Sequence, residues 1–197
     1  AKVGARKLVK KESESITFTF SEMAQKLKSH FGADSWQHMY MSMYGEAPSR
    51  DDMFDLLIVD KDGKDPKKVN DGYNYLVLPK NGKATIVFVK YKTAGFFGVV
   101  KVPLTSGTTS LIRKYIKGNP MTIAIQKGTL FGKAKMSDKV RKMLIEGGIK
   151  TSDQTKRGAK VNVGSINLLR KAYVTDKFEN NPSMTEEERI DLASAMR

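Results

Sequence analysis

Residues 84–104 constrain the fold more than any other stretch. Ala84–Lys90 (ATIVFVK) is rich in β-formers, and Tyr91–Leu104 (YKTAGFFGVVKVPL) ends in a second β-forming run, Val99–Val102. Between the two runs Gly95 and Gly98 bracket Phe96 and Phe97. Strand, glycine-containing turn and strand predict an antiparallel hairpin. Lys92 then falls at or near the turn, from which a long cationic side chain reaches a site formed by other parts of the chain. Taken alone it reads as a solvated hairpin lysine.

The chain around this hairpin is mainly helical. A cap at Thr19 or Ser21 opens a first helix: Thr19-x-x-Glu22 fits a capping box, and Met23, Leu27 and Phe31 repeat every four residues until Gly32. Asp34 is placed to cap a second helix, in which Trp36, Met39, Tyr40, Met43 and Tyr44 form an apolar stripe that reads as core. His30 and His38 lie off their stripes and read as structural or solvated. The turn Gly45–Pro48 should break this helix. Ser49-Arg50-Asp51-Asp52 then leads into a strand over Met53–Val59, so Arg50 stands between a helix end and a buried strand. By itself it reads as a surface arginine paired with Asp51 or Asp52.

Residues 60–72 form a polar loop. Asp60-x-Asp62-Gly63 matches part of a calcium loop, but the glycine and distal glutamate spacings are wrong. Tyr73–Leu78 is a short strand, and the turn Pro79–Gly82 leads into the hairpin, giving a small, mostly antiparallel sheet. Helices are expected over Ser106–Lys117, over Asp138–Glu146 with Ser137 as cap, from Ser165 to about Lys177, and over Glu186–Arg197 behind a Thr185-x-x-Glu188 capping box. Residues 150–164 form a basic loop, and 1–14 a basic arm or linker ahead of a domain over 15–197. No internal repeat interrupts this order.

Charge narrows the partner. Lysine and arginine number 35 against 21 acids, a net charge of +14, which points to a polyanion: nucleic acid first, an anionic membrane surface second. Residues 127–160 hold ten basic and three acidic residues, half the net charge in about a sixth of the chain. There is no cysteine, so disulfides and thiolate metal sites are excluded, and the two histidines have no ligand partner at useful spacing. No metal or other cofactor is expected. No apolar run approaches the length of a membrane span, and no signal peptide precedes the first strand signals.

The order of motifs resembles the catalytic domain of tyrosine recombinases, the integrase family, in the divergent form found in large DNA viruses and mobile elements. An arginine follows a helix in PSRDD, a lysine sits at a hairpin in YKTAGFFG, an arginine lies on a late helix in INLLRKAY, and a closing helix reads ERIDLASAMR. The resemblance covers about residues 15–197. It implies the DNA breaking–rejoining fold, a mainly helical α+β domain with a small antiparallel sheet, and a double-stranded DNA partner. It also implies assembly as a homo-oligomer on DNA, and a place inside a host cell or in a virion beside other virion proteins.

The resemblance also assigns roles. Arg50 and Arg170 match the two arginines that clamp the non-bridging oxygens of a scissile phosphate, which suits a permanently charged, bidentate guanidinium. Lys92 matches the hairpin lysine that protonates the leaving 5′ oxygen, with Lys90 as the alternative. Family members carry histidine three residues before the second arginine. Here that position is Asn167, which bonds a phosphate oxygen but does not shuttle a proton. Lys133, Lys135, Lys156, Arg157, Lys160 and Lys171, with Lys90, are the candidate DNA-backbone contacts. Tyr173 reads as a packing residue.

In the family a nucleophilic tyrosine follows the segment resembling DLASAMR. The tyrosines of this chain are Tyr40, Tyr44, Tyr73, Tyr75, Tyr91, Tyr115 and Tyr173, so the domain is expected to be C-terminally incomplete and not to cut DNA in cis. The second reading is a non-catalytic, recombinase-derived protein that binds DNA or builds a virion. A third, a basic ribosome- or membrane-associated protein, rests on charge alone.

Overall fold

The computed structural model describes residues 18–49, 52–53, 56–59, 72–122, 125, 128–132, 135–149 and 166–195. Among them are seven helices and one four-stranded sheet, a mixed α+β architecture. The helices are α1 (Phe20–Phe31), α2 (Trp36–Glu46), α3 (Ala94–Phe97), α4 (Ser106–Gly118), α5 (Met136–Glu146), α6 (Ile166–Asn180) and α7 (Glu186–Ala195). The strands are β1 (Leu57–Val59), β2 (Tyr75–Val77), β3 (Thr85–Phe88) and β4 (Val100–Pro103). The arm over 1–14, the loops 60–71 and 150–165, and the calcium-like Asp60–Gly63 lie outside the described residues.

Helix α1 starts as its sequence dictates. Thr19 Oγ1 accepts from Glu22 N at 3.2 Å, and Glu22 Oε2 accepts from Thr19 N at 2.8 Å, so two orphan donors are satisfied reciprocally. The same box opens α7, between Thr185 and Glu188. For α2 the cap is Ser35, not Asp34: Ser35 Oγ accepts from His38 N at 3.2 Å. Asp34 pairs with Lys114, whose Nζ lies 2.8 Å from its carboxylate. Helix α5 begins at Met136 behind Lys135, so its cap lies two residues ahead of the expected Ser137. That start brings Met136 into the core, where it is fully buried.

Helix α2 ends at Glu46, inside the expected Gly45–Pro48 break, with Gly45 itself still helical. The missing side chain of Gly45 serves packing: a Cβ there would sit 3.3 Å from Cε1 of Phe20, so glycine lets α1 approach. The predicted stripe of α2 is core, but Gln37 and Met41 are buried as well. A helix sunk on nearly every side belongs at the centre of a fold, and the main core gathers around it from α1, α4, α5, α6 and one face of the sheet.

The sheet order is β1-β2-β3-β4, with β1 parallel to β2 and the other two pairs antiparallel. The expected strand over Met53–Val59 shortens to Leu57–Val59. Leu76 and Ile86 face the main core, while Tyr75, Val77 and Val87 form a smaller cluster on the other face. Along β4, Val100 and Val102 turn inward and Lys101 and Pro103 outward, a pattern that blunts an edge strand against further pairing.

Two carboxylates tie the helices together. Asp176 on α6 is buried, and its Oδ2 accepts from Ser21 N at 2.8 Å and Ser21 Oγ at 2.7 Å, in the first turn of α1. Glu46, in the last turn of α2, accepts from Thr105 N at 2.6 Å and Thr105 Oγ1 at 2.7 Å, and from Thr108 Oγ1. Each places negative charge at a helix N-terminus, where the open backbone N–H groups favour it.

Candidate nucleic-acid interface

The hairpin is present as an antiparallel pair, Phe88 opposite Val100, with Lys92 in the connection. The connection is more than a turn: it holds the one-turn helix α3, and Lys92 stands exposed just before it. Tyr91 braces the tip, its hydroxyl donating to Gly98 O at 2.6 Å. Gly98 has φ of +68°, a conformation that favours glycine.

Asn74 anchors the base of this connection. The residue is only 2% exposed. Its Oδ1 accepts from Val89 N and Lys90 N, both at 2.8 Å. Its Nδ2 donates to Lys90 O at 2.9 Å and to Asp52 O at 2.8 Å. One amide thus fastens the root of the Lys92 loop to the chain that leaves α2. Sequence reading missed Asn74, because its partners lie 15, 16 and 22 residues away.

Arg50 lies outside the described residues. The described residues nearest to it are Ser49, buried, and Asp52, held by Asn74. Met53 and Leu56 are buried beyond it. The chain therefore enters the core on both sides of the position expected to carry the first arginine.

Arg170 is half-buried on α6, beside the last turns of α2. Burial pushes the Tyr44 hydroxyl well above the usual tyrosine range; the Arg170 guanidinium opposes that rise and Tyr173 adds to it. Tyr173 packs edge-on against Phe20 and Tyr44, with ring centroids 5.5 and 6.3 Å apart, as a packing residue should. Asn167 and Lys171 stand on the exposed side of α6, and Arg170 lies at the border between that side and the core.

Of the backbone-contact candidates, Lys90, Lys135 and Lys171 are exposed, while Lys133, Lys156, Arg157 and Lys160 lie outside the described residues. Not every cation of 127–160 faces solvent. Lys139 Nζ donates to Phe131 O and lies 5.9 Å from the Trp36 ring centre, and its burial lowers its pKa. Lys142 pairs with Glu146 at 3.7 Å.

A cleaner basic stretch overlaps the start of 127–160 and reaches back to β2. Residues 72–137 contain eleven lysines and arginines and no aspartate or glutamate. They span β2, β3, the α3 tip, β4 and α4. Arg113 is structural, donating to Pro79 O at 2.6 Å and Gly82 O at 2.9 Å, and Lys114 pairs with Asp34. Lys80, Lys83, Lys90, Lys92, Lys101 and Lys117 are exposed. Counting acids instead of bases would have found this stretch from the sequence.

No protein-family model, no curated protein and no solved structure matches the chain. None of the helices among the described residues is long and apolar enough to cross a membrane.

Proposed function

We propose that this chain is a DNA-binding, tyrosine-recombinase-like (integrase) catalytic domain with the DNA breaking–rejoining fold. Arg50 and Arg170 hold the non-bridging oxygens of one DNA phosphate, and Asn167 adds a hydrogen bond. Lys92 reaches the leaving 5′ oxygen from the β3–β4 connection. The partner is double-stranded DNA, bound first through its phosphates. The strand-cleaving tyrosine is not among the residues of this chain.

The observation that carries the reading is the Asn74 clasp. The motif order predicts that a post-helix arginine and a hairpin lysine serve one phosphate, and neither composition nor amphipathicity requires their segments to meet. Asn74 bonds Asp52 O and Lys90 O with the same nitrogen. The exposed Lys90 and Lys92, in a stretch of sequence without acids, support a polyanionic partner.

Binding to duplex DNA over a salt series tests the reading. Affinity should fall steeply from low to physiological salt. Arg170→Ala and Lys92→Ala should each weaken binding, and Arg170→Lys should recover only part of the loss, because lysine keeps the charge without the bidentate fork. Affinity indifferent to salt, or to both substitutions, would sink the proposal.

A further inference from the structure

The β3–β4 tip presents apolar surface that the phosphate-binding reading does not use. Phe96 is 86% exposed, and Phe97 and Val99 are also exposed. The two phenylalanine rings meet edge to face with centroids 4.9 Å apart. Phe96, almost fully exposed in the β3–β4 connection, has little packing role within the chain, and such exposure marks a surface that meets a partner. The projection is braced. Gly98 N donates to Ala94 O at 2.8 Å, Phe97 N donates to Thr93 O at 3.1 Å, and Tyr91 Oη closes the loop onto Gly98 O. The rings are therefore held out on a supported one-turn helix.

The surroundings select the partner. Lys90 and Lys92 are exposed at the same connection, in a stretch of sequence, 72–137, that itself contains no aspartate or glutamate. Apolar side chains flanked by cations are the combination with which proteins pry open base steps: the cations hold the phosphates while the wedge unstacks the bases.

We propose that Phe96 is a DNA wedge, inserted between adjacent base pairs next to the phosphate that Lys92 addresses. Phe97 supports it from the side. This deepens the recombinase-like reading and rests on it for the duplex partner. The wedge unstacks the step beside the reacting phosphate, and it favours deformable pyrimidine–purine steps, which cost least to open.

A short duplex carrying 2-aminopurine at a TpA step tests this, because the base brightens when it unstacks. The wild-type chain should raise its fluorescence. Phe96→Ala should lose the rise while keeping salt-dependent binding, and Phe96→Leu, which retains an apolar wedge, should keep part of it. Thermal midpoints of both variants should match wild type, since the side chain is almost fully exposed. Wild-type binding without a fluorescence rise, or a rise that survives in Phe96→Ala, would overturn the wedge and leave the proposed function standing. No binding to duplex DNA would overturn both. Phe96-dependent binding to phosphatidylserine vesicles, with the duplex signal unchanged in Phe96→Ala, would assign the tip to a membrane and overturn the wedge.

Discussion

The helical body and the sheet side use charge in opposite ways. In the body, Asp176 meets the start of α1, Glu46 the start of α4, and Glu22 and Glu188 close capping boxes. These carboxylates have their partners inside the fold, and their charge is spent on joining elements. From β2 through α4 no carboxylate exists, and six exposed lysines stand along the surface. Charge that the fold answers is structural, whereas exposed charge such as that of Lys90 and Lys92 is available to a ligand. Arg113 and Lys114 mark the border, since both are basic and both are used internally.

The largest expected effect falls where the two regions join. Asn74→Ala leaves four part-buried backbone groups without their side-chain partner: two N–H donors and two carbonyls. At roughly 1 kcal/mol or more per abandoned group, the loss should be about 3–4 kcal/mol in urea unfolding. A loss under about 1 kcal/mol would mean that the Lys92 loop and the chain after α2 are held together by something else.

Next comes the tie between α6 and α1. Asp176→Ala removes the acceptor from Ser21 N and Ser21 Oγ and should cost about 2 kcal/mol, while Asp176→Asn, which keeps an acceptor oxygen, should cost about half of that. If the two variants were equally destabilised, charge rather than hydrogen bonding would be holding the helices.

Tyr44→Phe should act in the other direction. Among the described residues the Tyr44 hydroxyl is buried and has no hydrogen-bond partner. Its removal should stabilise by up to about 1 kcal/mol. Tyr44, Tyr115 and Tyr173 all have pKa values raised, chiefly by burial. Above about pH 10 the unfolded chain therefore gives up protons that the folded chain retains. The contribution of these groups is fully present below that pH and is lost as pH rises beyond it. Thermal midpoints measured into the alkaline range should fall more gently for Tyr44→Phe than for wild type. A parallel fall would show that Tyr44 does not titrate with unfolding.

The part of the fold that was legible in sequence is the part that local chemistry decides. The Thr19 and Thr185 boxes, the α2 stripe and the antiparallel hairpin each depend on residues a few positions apart. At the misplaced caps the local signal did not decide: Ser35 Oγ, one residue on, caps α2 while Asp34 pairs with Lys114, and α5 starts early enough to bury Met136. The candidate site divides the same way. Lys92 could be placed by pattern because a strand–turn–strand signal surrounds it. Asn74 could not, because nothing near it in sequence hints at Asp52 or Lys90, and the parallel β1–β2 pairing that sets it between them joins residues far apart.

The smallest stability effect belongs to the exposed lysines, and it is where the contrast between the two regions is sharpest. Lys90, Lys92 and Lys101 surround the tip in a stretch without acids. Replacing any one by alanine should change unfolding free energy by no more than about 0.5 kcal/mol, since surface substitutions away from special features rarely do more. The same substitutions should matter to DNA. Each lysine that neutralises a phosphate adds about 0.9 to the slope of log affinity against log salt, so each productive removal should lower that slope by about 1. Lys142→Ala, in the body, is the control: its ammonium lies 3.7 Å from Glu146, and its loss should leave the slope nearly unchanged. Equal slopes for Lys101→Ala and Lys142→Ala would mean that the stretch without acids has no special claim on the phosphates. A drop confined to the tip lysines, with stability untouched, would place the polyanion along β3, β4 and the loop that carries Lys92.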